Sequence, residues 1–320
     1  MVDTHYDLLS ICYTCYLKND YTKIEEISKK IKNNKNIKCI FANLYFMSID
    51  EMKEELHENY YNPTTSILTM FKISKQILEY YLPDIEFIYS IEGCDFVDIN
   101  DLESLYEEGI KSIVTVWNTE NKYGSGNRTN KGLTKEGIEF INKAIDLGIA
   151  IDLSHANINT FYGIIELIKE NQNLGKKVIC YASHSNSKTL CNKERNLDDN
   201  QLKALKEVNG LVGIFCNKHF ITKDYNLNKD KINNIYLNHI MHISEIVGID
   251  NVMLSTDDMS FMIDIDPEYE DTVMFDYSNI EKEISILLQT YFSVSTTNKI
   301  MYENAYDRVI NKLNNKNKYK

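Results

Sequence analysis

Short runs rich in β-branched and aromatic residues alternate along this chain with longer stretches in which apolar residues recur every three to four positions. Eight of the short runs read as strands: Met1–Asp3, Cys39–Phe46, Phe87–Glu92, Ser112–Trp117, Ile149–Ser154, Val178–Ser183, Leu211–Cys216 and Val252–Thr256. Between them, Tyr21–Asn33, Thr65–Tyr81, Asn100–Glu108, Thr134–Leu147, Ile158–Glu170, Asp199–Glu207 and Lys231–Val247 read as amphipathic helices. Gly148 and Gly210 stand where helices should stop ahead of strands, and Asp198-Asp199 offers a cap and negative charge at a helix start. Eight strands alternating with helices over 320 residues fit an α/β fold of the (β/α)8 TIM-barrel type, for which about 250 residues is typical. A doubly wound open sheet is the alternative, but it usually carries a glycine-rich turn after its first strand, and no such turn follows here. No break in composition marks a boundary, so residues 1–320 read as a single domain.

Charge narrows the partners. There are 47 acidic and 35 basic residues, a formal net charge of −12. That sign opposes a nucleic-acid or anionic-membrane surface. The 3 Pro and 12 Gly exclude a long disordered linker. No apolar run reaches the ~18 residues of a membrane span, and neither terminus reads as a secretory signal or a lipid-anchor tail. The 7 cysteines, an odd number, include one CxxC, Cys12 and Cys15, with no second pair to complete a zinc site. They read as reduced, buried thiols, and the expected location is cytoplasmic.

In a barrel, chemistry sits at the C-terminal ends of the strands. The first strand leads into His5-Tyr6-Asp7, where residues two apart share a side, so His5 and Asp7 can reach one metal ion. HxD alone fits a surface turn equally well. The third strand ends in Glu92-Gly93, a carboxylate able to bridge two metals or simply to face solvent. His155 and His184 follow the fifth and sixth apolar runs at equivalent positions. The eighth ends in Asp257-Asp258, and carboxylates clustered at a barrel mouth need a positive neighbour. Together His5, Asp7, Glu92, His155, His184 and Asp257 read as a two-metal site with a carboxylate bridge.

The remaining histidines carry blander readings. His239 and His242 lie on the helix before the eighth strand, outside the barrel, and read as structural; His57 reads as solvated; His219 reads as a loop residue bordering the site. Arg195, on the loop after His184, fits either a clamp for a substrate carboxylate or a surface ion pair with Glu194, Asp198 or Asp199.

Six segments carry a family resemblance: Asp3-Thr4-His5-Tyr6-Asp7, Ile91-Glu92-Gly93, the run from Gly132 to Gly137, the run from Gly148 to His155, Ser183-His184-Ser185, and Arg195-Asn196-Leu197-Asp198-Asp199. In this order they resemble the renal, or membrane, dipeptidases, zinc hydrolases of the amidohydrolase-like barrels. The resemblance implies that His5 and Asp7 hold one of two Zn2+ ions, that His155 and His184 hold the other, and that Glu92 bridges both; other divalent metals suit the same donors. It further implies that Arg195, with Asn196 beside it, binds the substrate's C-terminal carboxylate, and that Asp257 is the acid/base residue. Some features depart from the family pattern. Glu-Gly-Gly is Glu92-Gly93-Cys94 here, and the eighth-strand Asp-Phe-Asp motif is Asp257-Asp258-Met259, which leaves the acid/base role between Asp257 and Asp258. Mammalian-type members carry a substrate-contacting His at the end of the fourth strand, whereas this chain has Trp117-Asn118, as bacterial members do. Trp117 is therefore expected to pack on the substrate and set specificity more than rate.

The expected activity is hydrolysis of free dipeptides by a metal-bridging hydroxide, in a protein that forms a homodimer as other members do. Three other readings stay open on the residues alone. The same metal site suits another small amide or lactone, a phosphoesterase would want more cations at the strand ends than are found, and a non-catalytic barrel would not need the full ligand set.

Overall fold

The computed structural model describes residues 1–45, 65–260 and 267–314. Eight strands run parallel, each hydrogen-bonded to the next in chain order: β1 (Val2–Tyr6), β2 (Cys39–Tyr45), β3 (Glu86–Glu92), β4 (Ile110–Val114), β5 (Ala150–Asp152), β6 (Cys180–Ala182), β7 (Leu211–Phe215) and β8 (Val252–Ser255). The two edges meet. The Asp257 N–H donates to His5 O at 3.1 Å, and the Thr4 hydroxyl bonds Leu254 O at 2.9 Å. Helices cover the outside: α1 (Leu8–Lys18), α2 (Thr22–Asn33), α3 (Ile67–Tyr81), α4 (Asp101–Glu108), α5 (Lys135–Leu147), α6 (Ile158–Asn173), α7 (Asp199–Glu207), α8 (Lys218–Ile221), α9 (Lys229–Val247) and α10 (Ile280–Gln289). The result is a nearly closed (β/α)8 barrel, as the alternation of patterns predicts.

The strands are apolar on both faces because helices cover one and the barrel interior fills the other. Ile40, Ala42, Ile113, Val212 and Leu254 belong to the large outer cluster under the helices. Their neighbours Phe41, Ile88, Tyr181, Leu211 and Met253 form an inner cluster, closed below by Ala305, Val309, Ile310 and Leu313 of the C-terminal segment. Stepping along β3 by twos from Ile88 through Ser90 leads from this apolar floor to Glu92.

Local chemistry sets the helix ends. Ser66, Thr134, Asn157 and Asn228 each accept from a backbone N–H three residues on, and Asp198 with Gln201 completes a capping box. Gly148 ends α5 at φ 83°, but before β7 it is Asn209, at φ 62°, that takes the left-handed turn ahead of Gly210. Gly213 is required by close approach, since a Cβ there would lie 1.8 Å from Ser183 O and 2.5 Å from Thr4 Oγ1.

Several boundaries differ from the expected ones. β1 runs to Tyr6 instead of stopping at Asp3, and β4 ends at Val114 instead of Trp117. Thr115 O leaves the ladder to accept from Cys94 N at 3.2 Å and Asn121 Nδ2 at 2.9 Å. β5 and β6 stop early because Asp152 Oδ1 takes the N–H groups of Ser154 (2.9 Å) and Ser183 (3.0 Å). Helix α1 is not among those that the periodicity marks out; Leu8, Leu9, Ile11, Cys12, Tyr13 and Cys15 are all buried, so it has too little polar surface to show a stripe. Cys12 and Cys15 lie on it as buried thiols, and all 7 cysteines are free and buried.

His239 on α9 is structural, as expected. It is buried, accepts the Ser187 N–H at Nδ1 (3.1 Å), and faces Ile221 O with Nε2 at 3.2 Å. Burial holds its pKa down at about 4, from an ordinary 6.5. The unfolded chain therefore binds a proton between pH 6.5 and 4 that the folded chain refuses, so stability falls as pH drops through that window. About 3 kcal/mol is at stake for a shift of that size. Chemical denaturation of wild type and His239→Gln at pH 7 and pH 4.5 checks this: the wild type should lose more stability on acidification than the variant, and equal losses would contradict it.

Candidate metal centre

Two nests of donors face each other across Glu92, and the strand ends place every member. His5 comes from β1, and Asp7 follows it as the residue preceding α1. Asp is a favoured helix cap, yet the Asp7 carboxylate makes no cap bond; its Oδ1 lies 3.5 Å from His5 Nε2 instead. Glu92 ends β3, and Gly93 turns the chain away at φ 78°, a conformation that suits glycine. One carboxylate oxygen of Glu92 lies 3.1 Å from His5 Nε2; the other lies 2.8 Å from His155 Nε2 and 3.4 Å from His184 Nε2. Donor atoms of His5, Asp7 and Asp257 come within 4.8 Å of one another, as do those of Glu92, His155 and His184. His155 at φ 66° and Asp257 at φ 42° both hold a left-handed backbone that non-glycine residues rarely adopt. Asp258 turns away, accepting from the Tyr6 hydroxyl and the Ser260 hydroxyl, each at 2.8 Å.

The electrostatics of this arrangement are unfavourable without a cation. All of these groups are fully or largely buried. His155 Nδ1 sits 3.0 Å from Asn118 Oδ1, which can only accept, so Nδ1 carries the hydrogen and Nε2 presents a lone pair. That lone pair faces His184 Nε2 at 3.0 Å. Burial drives the His155 pKa down to about 4 and that of His184 well below its ordinary value, with Arg195 adding to both. Burial opposes ionisation of Glu92 as well, but His5 acts most strongly against it, and the carboxylate is held well below the usual range. For His5, burial works against the charged form, yet facing Glu92, Asp7 and Asp257 leaves its pKa raised. Burial, reinforced by Asp7 and Glu92, pushes Asp257 up to about 7. His5 Nε2, Asp7 Oδ1 and Glu92 Oε1 are buried with no hydrogen-bond partner. Imidazole nitrogens and carboxylate oxygens converging with unused lone pairs fit a pair of divalent cations, and this donor mixture suits zinc.

Arg195 is buried beside this cluster. Its guanidinium donates to His184 O at 3.0 Å and reaches Ser185 Oγ at 3.5 Å, and among the described residues it forms no ion pair with a carboxylate. The surface alternatives are otherwise engaged: Glu194 pairs with Lys188 (2.9 Å), Asp198 caps α7, and Asp199 meets His242 (2.8 Å). Asn196 sits behind Arg195 and frames its loop, with Nδ2 donating to Cys191 O and Phe220 O at 2.8 Å each. Trp117 stands at the mouth with its ring 5.0 Å from Tyr45 and 5.9 Å from His155, and Arg128 lies over it at 5.8 Å. His219 borders the loop, with Tyr225 Oη at 2.7 Å and Lys193 Nζ at 3.3 Å; His57 lies outside the described residues. Sequence reasoning named Asn118 and Ser183 within motifs but missed their role, which is to support the histidine rings. Each adjoins a residue to which it did give a role, Trp117 and His184, but no spacing rule marks such partners.

The fold and the convergent donors define a (β/α)8 barrel with a candidate metal centre at the C-terminal ends of its strands. Residues 48–318 match the membrane dipeptidase family, peptidase family M19, and the chain belongs to that family. An uncharacterised protein from the pqqA 5′ region of Klebsiella pneumoniae is 32% identical over 165 residues, covering 49% of this chain and 58% of that protein. An uncharacterised dipeptidase of Schizosaccharomyces pombe is 26% identical over 232 residues, covering 63% of this chain and 53% of that protein. The chain thus spans about half the length of the curated relatives it matches. A metallopeptidase from Rhodobacter sphaeroides, solved with a phosphinate mimic of L-Ala-D-Ala, shares the fold with a TM-score of 0.72 at 18% identity, covering 96% of this chain and 97% of that one.

Replacing the central carboxylate tests the centre. If two cations share Glu92, a neutral amide cannot offset them, so Glu92→Gln should bind fewer zinc ions than wild type on metal analysis, with the fold intact by circular dichroism. Two zinc ions retained in the variant would contradict the bridging position.

Proposed function

We propose that this protein hydrolyses the peptide bond of free dipeptides, with two divalent cations, zinc by donor type, as its cofactor. The observation that carries the reading is Glu92, whose two oxygens address separate donor groups within 3.5 Å, beside a buried guanidinium without a carboxylate partner among the described residues. His5 and Asp7 would hold one ion and His155 and His184 the other, with Glu92 shared. When bound, such a pair acidifies a water and polarises the scissile carbonyl. Asp257 stands next to His5 and Asp7, so it accepts the proton of the attacking water and returns it to the leaving amine nitrogen. Asp258 is engaged with Tyr6 and Ser260, which leaves the acid/base role to Asp257.

Arg195 supplies the restriction to dipeptides. A guanidinium whose hydrogen bonds among the described residues go to His184 O and Ser185 Oγ has donors left for a substrate carboxylate, and its fixed place limits how far that carboxylate lies from the reacting carbonyl. Trp117 offers a flat apolar wall for the substrate side chain, braced by Tyr45. A cytoplasmic location belongs to the same proposal, since 7 free thiols suit a reducing compartment.

Two variants test these roles. Loss of a charge-assisted bidentate pair is worth about 2–3 kcal/mol, so Arg195→Ala should raise KM for free dipeptides ~30- to 100-fold. The effect should be much smaller on dipeptide amides, and equal losses on both would remove Arg195 from substrate binding. For Trp117→His, kcat/KM across a panel of dipeptides should change in rank order while zinc content stays constant. An unchanged ranking with only a lower melting temperature would make Trp117 a packing residue.

A further inference from the structure

The histidine rings of the centre are held from behind, and the supports are unequal in number. His155 has its own acceptor, Asn118 Oδ1, at 3.0 Å. His5 Nδ1 and His184 Nδ1 converge on one buried oxygen, Ser183 Oγ, at 3.2 and 2.7 Å. Their rings lie 3.7 Å apart, tilted by 34°. Ser183 Oγ also meets Ser154 Oγ at 3.3 Å, and Asp152 Oδ1 takes the Ser154 and Ser183 N–H groups, which fixes the backbone that carries the hydroxyl. His5, Asp152 and His184 come within 4.8 Å of one another as potential ligands, and Ser183 hydrogen-bonds all three, Asp152 through its N–H.

A hydroxyl has one hydrogen and two lone pairs. Ser154 Oγ, at 3.3 Å, can take the hydrogen, which leaves both lone pairs of Ser183 Oγ for the two imidazoles. As metal ligands both imidazoles present Nε2 lone pairs forward to Glu92, so both Nδ1 atoms carry hydrogens and Ser183 Oγ accepts them. His5 belongs to one donor nest and His184 to the other. We propose that Ser183 is a positioning residue shared by the two halves of the centre: a single hydroxyl, on a backbone held by Asp152, fixes the tautomer and ring orientation of one histidine in each. This rests on the two-metal reading above.

Three zinc-binding measurements decide the matter, using purified protein and competition with a chromophoric chelator. Wild type is titrated first, and failure to take up two ions overturns the two-metal reading itself. Ser183→Ala should weaken both ions, each by ~10- to 100-fold, the range seen when such supporting hydrogen bonds are removed. Asn118→Ala, which removes the side chain that meets His155 and neither His5 nor His184 among the described residues, should weaken only one. Two ions with wild-type affinities in Ser183→Ala, or a loss confined to one ion, would overturn the shared role while leaving the metal centre standing. Should Ser183→Ala fail to fold, long-range ¹H–¹⁵N spectra of the zinc-loaded wild type give the answer. They should show protonated Nδ1 on both His5 and His184, and a protonated Nε2 on either would overturn the proposal.

Discussion

Burial of charge at the mouth of the barrel is the constraint on which the rest of this structure depends. Glu92, Asp7 and Asp257 are drawn together with three imidazoles in a space where water is largely excluded. Moving one ionised group from water into such surroundings costs several kcal/mol even after relaxation. Protonation relieves part of this, as the upward shifts of Asp257 and His5 indicate. It cannot relieve the facing lone pairs of His155 and His184, each held down by burial. Divalent cations would relieve all of it at once, with His5, Asp7, Glu92, His155 and His184 offering ligands from four different strand ends.

The fold bears local costs to keep this arrangement. His155 and Asp257 sit at positive φ, where a non-glycine residue is strained by roughly 1–3 kcal/mol. Asp7 forgoes the helix cap that its side chain is suited to make. Asp152 draws the N–H groups of Ser154 and Ser183 out of the sheet ladder. Tight packing elsewhere compensates, with an apolar layer between sheet and helices and a second within the barrel closed by the C-terminal segment. Local rules are broken where the donors converge and kept where the helices start, which is the distribution expected of a functional site.

Much of this was legible in the chain because the governing signals are local. Eight apolar runs and the intervening helical periodicity gave the barrel, and the polar residue just past each run gave His5, Asp7, Glu92, His155, His184 and Asp257, which the structure brings together. Boundaries were less legible. Thr115–Trp117 has a strand-like composition, but hydrogen bonds from Cys94 and Asn121 pull it off the sheet. The choice between Asp257 and Asp258 depended on one backbone turn and on Tyr6, which is 252 residues away in sequence from Asp258. The supporting roles of Ser183 and Asn118 were invisible for the same reason, since such a hydrogen bond depends on which loops meet in space and leaves no periodic mark.

The central claim is that this buried cluster exists to hold two metal ions bridged by Glu92. Anomalous diffraction from crystals of the zinc-loaded protein, recorded on both sides of the zinc absorption edge, tests it most directly. The account predicts two peaks, one among His5, Asp7 and Glu92 and the other among Glu92, His155 and His184. A single peak, or zinc bound away from Glu92, would contradict it.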